Sequence, residues 1–304
     1  MELSVVVPTL NGRDRLAASL DALADVAPDA EVIVVNGPSA DGTTGMVRER
    51  DDVDVLVEIA ARNVNVARNA GLEVADGDAV AFLGYDHRVE SGWRDTVAAA
   101  VGEGAEVVTG PLRRTVKGGA TSEGPERRRI ADREVSYFNG RNVVFDRDVL
   151  ADLDGFDEYL RTGGARDAAH RLAGMDVQVE WRPEMAARRR SEATDGGIET
   201  RDLGWKYRAL AYRLVKNYGV RPTVVRRTLR HACGDAAGTF RDVLGGDATP
   251  TGWVGNGRDV AAGIAAGASD GLIARAKDRS STRNPNGVSA RADRAVARYD
   301  RRTE

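Results

Sequence analysis

The chain has 304 residues, of which 42% are hydrophobic and 30% charged, so it can bury a core as one large domain with an appendage or as two domains. No basic and apolar leader precedes the first predicted strand, and no run approaches the roughly 18 apolar residues of a spanning helix, so we expect the chain to stay on the cytoplasmic side. The single cysteine, Cys233, excludes a disulfide framework and a cysteine-based zinc site.

Short apolar, β-branched segments alternate with segments of helical spacing along the first part of the chain. The predicted strands are "LSVVVPTL", "AEVIVVNG", "VDVLVE", "DAVAFLG" and "AEVVTGP". Helical spacing is found at about residues 16–23, 43–51, 65–75 and 91–101,. This alternation predicts a mostly parallel α/β sheet with helices on both faces.

Polar or conformationally special residues follow three of these strands. Because ligands of parallel sheets bind beyond the carboxyl ends of the strands, these turns predict the position of a binding site. The first strand ends in Pro8-Thr9-Leu10-Asn11-Gly12, the second in Asn36-Gly37-Pro38-Ser39 and the fourth in Gly84-Tyr85-Asp86-His87.

The order of these motifs resembles the nucleotide-binding half of family 2 glycosyltransferases, whose fold is the Rossmann-like GT-A fold. The resemblance rests on "SVVVPTLNGRDRLAASLDAL", "EVIVVNGPSADGTTGMV" and "NVARNAGLEVADGDAVAFL" and extends over residues 1–185. Further along, "YFNGRNVVFDRDVLADLDGFDEYLRTGGARDAAHRL" is similar to the acceptor-side segment of the family. The combination of "VNGPSADGT" with "TGGARDAAHRLA" resembles the haloarchaeal Agl enzymes, which build the lipid-linked N-glycan of surface-layer glycoproteins.

The resemblance implies a set of residues that contact a nucleotide sugar. Asn36 and Gly37 stand where the family has paired acids, so an amide replaces a charge near the base and ribose. Three alternatives without a role in binding remain open: an ordinary loop position for Thr9, a helix cap for Asp41 and a surface position for Arg68. The implied donor-site residues are Pro8, Thr9, Asn11, Asn36, Asp41, Arg68, Asn69 and Tyr85.

The resemblance also implies a divalent metal, Mg²⁺ or Mn²⁺, that stabilises the leaving nucleoside diphosphate. Asp86 occupies the last position of the family's Asp-x-Asp motif, and Gly84 replaces the first. His87 is expected either to add a ligand or to cap the following turn. The alternative for Asp86 is a turn or helix cap.

An inverting transfer needs a base that accepts the proton of the acceptor hydroxyl. Aligned on Arg171, the family's base position is occupied by Ala165. We predict Asp167 as the base and His170, one turn later on the helix, as a second candidate. Three alternatives remain open: a lipid phosphate acceptor that needs no base, a chain that binds donor without turnover, and a purely electrostatic role for Asp167 at the helix N-terminus.

Charge predicts a division between a GT-A domain at residues 1–200 and a basic, mainly helical region at residues 201–304. Residues 1–186 carry 21 basic and 34 acidic side chains, whereas residues 187–304 carry 23 basic and 13 acidic. Residues 204–234 hold eight basic side chains and no acidic one. Such an asymmetry predicts two surfaces of opposite sign.

The start of this basic region has the spacing of an amphipathic helix, with an apolar stripe that includes Tyr207 and Leu214. We predict that it lies in the membrane interface, where Lys206, Arg208, Arg213 and Lys216 contact anionic lipid headgroups or a lipid phosphate. The alternative is that the stripe packs against the protein.

The remaining C-terminal segments give weaker signals. Residues 259–276 are glycine-rich and predict a buried or interfacial helix rather than a span. Residues 278–304 have little to bury and predict a surface helix or disorder. No recognised nucleic-acid module is present, so nucleic acid is not an expected partner.

By resemblance, the expected function is that of a peripheral glycosyltransferase on the cytoplasmic face of the cell membrane. It would move a sugar, a hexuronic acid, from a nucleotide donor to a dolichol-phosphate-linked glycan, alongside other glycan-assembly enzymes. A competing expectation is direct synthesis of a dolichyl-phosphate sugar, and another is a non-catalytic member that binds nucleotide sugar.

Overall fold

The computed structural model of the protein describes residues 1–114, 124–189, 202–232 and 250–303. The chain divides into two compact units. The division differs from the boundary predicted at residue 200, because the last residues belong to the first unit. The first unit comprises Met1–Arg127, Ser136–Gly196 and Asn286–Glu304, and the second comprises Arg128–Val135 and Gly197–Pro285.

Strands and helices alternate as predicted over the first part of the chain. The strands are β1 (Leu3–Thr9), β2 (Glu31–Asn36), β3 (Val55–Ile59), β4 (Ala79–Leu83), β5 (His87–Val89), β6 (Val107–Thr109), β7 (Leu112–Arg114), β8 (Glu126–Ile130), β9 (Arg133–Tyr137), β10 (Asn142–Asp146), β11 (Val179–Trp181), β12 (Ala187–Arg189) and β13 (Ala295–Asp300). The helices are α1 (Arg13–Val26), α2 (Thr43–Arg48), α3 (Val64–Leu72), α4 (Trp93–Gly102), α5 (Arg147–Asp152), α6 (Gly164–Leu172), α7 (Leu203–Tyr218), α8 (222–232) and α9 (Pro250–Lys277).

Eight strands form the central sheet of the first unit, in the order β11-β6-β10-β4-β1-β2-β3-β13. The strands β4, β1, β2 and β3 are parallel neighbours. In contrast, β10 runs antiparallel to β4 and β6, and β13 runs antiparallel to β3. The predicted α/β class is therefore confirmed, with a sheet that is mixed rather than wholly parallel.

Helices cover both faces of this sheet. On one face, Val5 of β1 is buried in a cluster with Leu16 and Leu20 of α1. Val6 points to the opposite face, since successive strand residues alternate. There a Cβ added at Gly71 of α3 would lie 2.3 Å from Val6 Cγ1. Glycine at this position thus lets α3 pack closely on the sheet.

A three-stranded sheet, β5-β12-β7, brings two distant segments together just beyond β4. β12 runs antiparallel to β5 and parallel to β7. In the β12–β5 register, Arg189 lies opposite His87. Backbone pairing therefore fixes an arginine beside the turn that ends β4.

In the second unit, α9 packs closely on α7. Gly263, Gly267 and Gly271 of α9 are four residues apart, and a Cβ at Gly263 or Gly267 would lie 2.2 Å from the carbonyl oxygen of Gly204 or Arg208, respectively. Small residues at this spacing let the two helix backbones approach each other. The apolar stripe of α7 is buried as a result, as Tyr207 shows. Among the described helices, none combines the length and the apolar character that crossing a bilayer requires.

This packing corrects the interfacial role predicted for α7. Lys216 is fully buried, so it does not lie where a lipid headgroup could reach it. Arg208 forms an ion pair of 2.8 Å with Asp270 of α9. Lys206 is exposed and Arg213 is partly exposed. The alternative that the stripe packs against protein is the one the structure shows.

The last residues of the chain form an edge strand rather than the predicted surface helix or disordered tail. β13 extends the central sheet beside β3. Just before it, the buried guanidinium of Arg294 forms ion pairs with Glu73 and Glu158. It also donates a hydrogen bond of 2.7 Å to the carbonyl of Gly287. One cation thus joins the tail to two separate parts of the first unit.

We expect Arg294→Ala to destabilise the protein by about 3–5 kcal/mol, because it leaves Glu73 and Glu158 without their buried partner. The free energy of unfolding from urea titrations checks this. Arg298→Ala is the matched control on β13, since that side chain is 45% exposed and surface pairs contribute about 1 kcal/mol or less. Equal losses in the two variants would contradict the buried role of Arg294.

Candidate active site

Two neighbouring cavities lie in the first unit, and the first of them is at the carboxyl ends of β1 and β4. The first cavity encloses about 290 Å³ and is lined by Pro8, Thr9 and Tyr85, among others. The second cavity encloses about 540 Å³ and lies on the side of α6. Both are lined by Val64, Arg68, Gly140, Arg141 and Arg161.

The turn after β1 shapes the first cavity as the sequence predicted. The Thr9 hydroxyl is buried and has no hydrogen-bond partner among the described residues, so a polar group of a ligand can pair with it. The Tyr85 ring lies against Gly12, where an added Cβ would be 2.3 Å from Tyr85 Cε2. Four of the eight predicted donor-site residues, Pro8, Thr9, Arg68 and Tyr85, therefore line one cavity.

The turn after β2 is held by its own side chains. Asn36 donates to Thr44 Oγ1 at 2.9 Å and accepts a hydrogen bond of 2.7 Å from the Ser39 hydroxyl. Asn11 accepts one of 2.9 Å from the backbone N–H of Ala40. Both amides are used to build the loop, and neither is among the residues that line the first cavity.

Asp41 is a helix cap, which was the alternative to a nucleotide contact. Its carboxylate accepts hydrogen bonds from the backbone N–H of Arg13 at 3.1 Å and of Thr43 at 3.2 Å. It also accepts a hydrogen bond of 2.5 Å from the Thr43 hydroxyl, and this bond lowers the pKa of Asp41. One side chain thus accepts from a backbone N–H at the start of each of α1 and α2,.

Arg68 faces both cavities as a buried cation, so the surface alternative for it is wrong. Its guanidinium donates to Asn65 Oδ1 at 3.0 Å and to the carbonyl of Gly140 at 2.7 Å, while its Nε has no partner. Burial, with a contribution from Arg141, lowers the pKa of Arg68 to about 10, so it remains charged at neutral pH. No carboxylate that the structure describes forms an ion pair with it. Because an unpaired buried charge is costly, this position favours an anionic ligand.

Asn69 is placed differently from its prediction as a donor contact. Its amide donates to the Phe156 carbonyl and to Glu158, each at 2.8 Å, and its oxygen accepts the Phe156 N–H at 2.8 Å. Asn65 donates to the carbonyl of Leu160 at 2.6 Å. Asn63 donates to the carbonyl of Glu158 at 2.8 Å. Three asparagines of one short segment therefore fix residues 156–160, and their recurrence in the sequence was a signal that the prediction did not use.

The two predicted metal ligands, Asp86 and His87, contact each other, and Asp86 also contacts Arg189. Asp86 Oδ1 lies 2.7 Å from His87 Nδ1, and Asp86 Oδ2 lies 2.7 Å from Arg189 Nε. Burial by itself raises the pKa of Asp86, but His87, Arg141 and Arg189 outweigh it and hold that pKa at about 2. The carboxylate is therefore ionised, and its charge is balanced within the protein.

The surroundings of Gly84 leave no room for the first acid of the motif. A Cβ at residue 84 would lie 2.7 Å from His87 Nδ1 and 3.0 Å from Arg141 Cβ. Within the described ranges, no group of three or more metal-ligating side chains comes together. The residues present do not fit a Mg²⁺ or Mn²⁺ site, since one paired carboxylate replaces the oxygen-rich set such ions prefer.

Asp167, the predicted base, is fully buried and forms an ion pair of 2.9 Å with Arg171. Arg171 in turn donates to the carbonyls of Leu153 and Gly155. The pair therefore anchors the loop before α6, and the carboxylate does not reach either cavity. This placement corrects the assignment of Asp167, because a base must contact the acceptor hydroxyl.

His170 lies one layer behind the second cavity. It is 1% exposed, and its Nε2 is 3.4 Å from the hydroxyl of Tyr137, which lines the cavity. Glu126 is the one carboxylate among the described residues that line it, and it pairs with Arg166 at 2.8 Å. Neither Tyr137 nor Glu126 was predicted, because they follow no strand-end motif.

Comparison with known sequences supports the family resemblance that the strand-end motifs indicate. The family model for glycosyl transferase family 2 matches residues 4–156. Glycosyltransferase AglE of Haloferax volcanii is 28% identical over 184 residues, which is 53% of this chain and 58% of AglE. The putative teichuronic acid biosynthesis glycosyltransferase TuaG of Bacillus subtilis is 33% identical over 91 residues, 28% of this chain and 36% of TuaG. The chain thus spans less than two thirds of either relative.

Solved structures share the fold of the first unit and confirm the GT-A class. S. aureus TarS in complex with UDP-GlcNAc gives a TM-score of 0.56 at 19% identity, over 71% of this chain and 67% of TarS. The mannosyltransferase PcManGT from Pyrobaculum calidifontis, in complex with GDP-Man and Mn²⁺, gives 0.54 at 20% identity, over 89% of this chain and 87% of PcManGT.

We expect Gly84→Ala to cost about 1–3 kcal/mol of stability, because its methyl group overlaps His87 Nδ1. The cost should shrink when His87→Ala is already present, and urea titrations of the four variants in this cycle check it. Gly102→Ala is the control, since a Cβ there meets nothing within 4 Å. A Gly84→Ala variant as stable as that control would show that residue 84 has room for a side chain.

Proposed function

Since the chain belongs to glycosyl transferase family 2, we propose that it transfers a sugar from a nucleotide-sugar donor to a lipid-linked acceptor. In the finer form of the proposal, the sugar is a hexuronic acid and the acceptor is a dolichol-phosphate-linked glycan that is built for the N-glycan of surface-layer glycoproteins. The resemblance to the haloarchaeal Agl enzymes and the identity with AglE support this form. Other glycan-assembly enzymes are the partners it implies.

The observation that carries the proposal is the buried, unpaired Arg68 at the wall shared by the two cavities. A nucleoside diphosphate brings the anion that this cation lacks, and the Thr9 hydroxyl offers a hydrogen bond in the same cavity. Arg141 and Arg161 line both cavities as well. Positive charge placed where the leaving diphosphate develops negative charge accelerates transfer.

The second cavity supports a second candidate, direct transfer to a lipid phosphate. Arg141, Arg161 and Arg166 line it, whereas Glu126 is its single described carboxylate and is already paired. Ala165 provides no base there. A phosphate oxygen is anionic before it attacks and needs no base, so this lining favours an anionic acceptor. In either form we propose that the transfer inverts the anomeric centre.

A transfer assay separates the two forms. The full chain is mixed with labelled UDP-glucuronic acid or GDP-mannose and with polyprenyl phosphate or a polyprenyl-phosphate-linked saccharide, and lipid products are sized by mass spectrometry. Product on the saccharide supports the first form, and product on the phosphate alone supports the second. Arg141→Ala should lower kcat/KM at least tenfold, because one charged hydrogen bond contributes about 1.5–3 kcal/mol. Absence of a labelled lipid product with every combination of donor and acceptor would count against the proposal.

We further propose that the protein is peripheral to the cell membrane on its cytoplasmic face, and that the surface involved lies at α8 rather than α7. Three apolar side chains are exposed there: Val220 at 64%, Val225 at 44% and Leu229 at 52%. Arg221, Arg226 and Arg230 line the same shallow groove. Apolar side chains between arginines match a surface of anionic lipid headgroups.

Vesicle binding tests this surface. We expect the protein to sediment with phosphatidylglycerol vesicles and not with phosphatidylcholine vesicles, because each basic residue near an anionic surface contributes about 1 kcal/mol. Val225→Glu with Leu229→Glu should abolish this binding. Val296→Glu is the control, since Val296 is 66% exposed but lies on β13. Equal binding to the two vesicle types would contradict an anionic surface as the partner.

A further inference from the structure

We propose that this chain binds the diphosphate of its donor with arginine side chains and without a divalent metal. The inference rests on the proposed function, because it concerns the same donor. It departs from the expectation of Mg²⁺ or Mn²⁺. Three independent observations on the strand-end turn and the cavity wall carry it.

The first observation is that both oxygens of Asp86 lie against nitrogen atoms of the protein. His87 Nδ1 is 2.7 Å from Oδ1, and the guanidinium Nε of Arg189 is 2.7 Å from Oδ2. The Asp86 side chain is 5% exposed. A metal at Oδ2 would have to displace the Arg189 guanidinium from a buried carboxylate, and the displaced charge would then need a new partner.

The second observation is that the position of Arg189 is set by backbone pairing. Arg189 lies opposite His87 in the register of β12 with β5. The metal motif has also lost the room for its first acid, since a side chain at residue 84 would meet His87 Nδ1 at 2.7 Å. Arg189 thus lies beside Asp86, the carboxylate that the motif retains.

The third observation is that positive charge is already present on the cavity wall. Arg68 is 7% exposed and has no ion pair with a described carboxylate. Arg141 is exposed, lines both cavities and forms no salt bridge within the described ranges. The two guanidinium groups are near enough for Arg141 to lower the pKa of Arg68. Two neighbouring cations that form no salt bridge with a described carboxylate are what a diphosphate dianion would neutralise.

The chemistry balances without a metal. The bond between the anomeric carbon and the diphosphate oxygen breaks, and its electron pair stays on that oxygen. An acceptor oxygen forms the new bond to the anomeric carbon, and a hydroxyl acceptor releases its proton to solvent. The guanidinium groups of Arg68 and Arg141 stabilise the charge left on the diphosphate.

Calorimetric titration of the full chain with UDP and with GDP tests the inference, in EDTA and in Mn²⁺. We expect affinities in the two conditions to agree within about threefold. Arg141→Ala should weaken binding at least tenfold in both conditions, since it removes a charged hydrogen bond of about 1.5–3 kcal/mol. Arg298→Ala, a surface change on β13, should bind as the unaltered chain does.

The outcomes separate this inference from the proposed function. Binding that appears in Mn²⁺ and vanishes in EDTA would overturn metal independence and leave the proposed function standing. Failure of both nucleotides to bind in either condition would overturn the proposed function itself. Electron paramagnetic resonance of Mn²⁺ gives a second readout. We expect a mixture of the chain with UDP to lower the concentration of free Mn²⁺ no more than UDP alone does. Uptake of one Mn²⁺ for each complex of chain and UDP would contradict the inference.

Discussion

Hydrogen bonds from α3 to the segment at residues 156–160 are the constraint on which the site depends. Asn63, Asn65 and Asn69 direct their amides to the backbone of that segment, and Asn65 also orients Arg68. These hydrogen bonds provide partners that a buried backbone needs for its polar groups. The same helix thus lines the first cavity with Val64, Ala67 and Arg68 and fixes the route by which the chain reaches α6.

The architecture of the first unit could be predicted from the sequence because the patterns that indicate its strands and helices are local. Branched apolar runs bounded by turn residues predict β1 to β4 and β6, and leucines at helical spacing predict α1. Pro8, Thr9 and Tyr85 line one cavity for a similar reason, since the carboxyl ends of parallel strands meet at one edge. The fold class therefore follows from the residues of the elements themselves.

The candidate site could be predicted less well from the sequence, because the contacts that define it join residues far apart in the chain. No spacing in the sequence shows that Arg189 reaches Asp86, because a sheet register sets that distance. The ion pair of Asp167 with Arg171 follows the i,i+4 rule and could have been read as structural. Burial decided the roles of Lys216 and Asp167, and burial of a single polar residue follows from the whole fold.

The edge strand β13 has a consequence for how the first unit is made. Its partner β3 is complete after residue 59, yet the strand that covers its edge comes from residues 295–300. During synthesis, the outer edge of β3 therefore stays unpaired while the second unit is made. Unpaired strand edges pair readily with other chains. Arginines at 291, 294 and 298 suit a segment that must remain soluble until it docks. The order of translation thus makes the sheet among the last parts of the molecule to be finished, although its strands are among the first to appear.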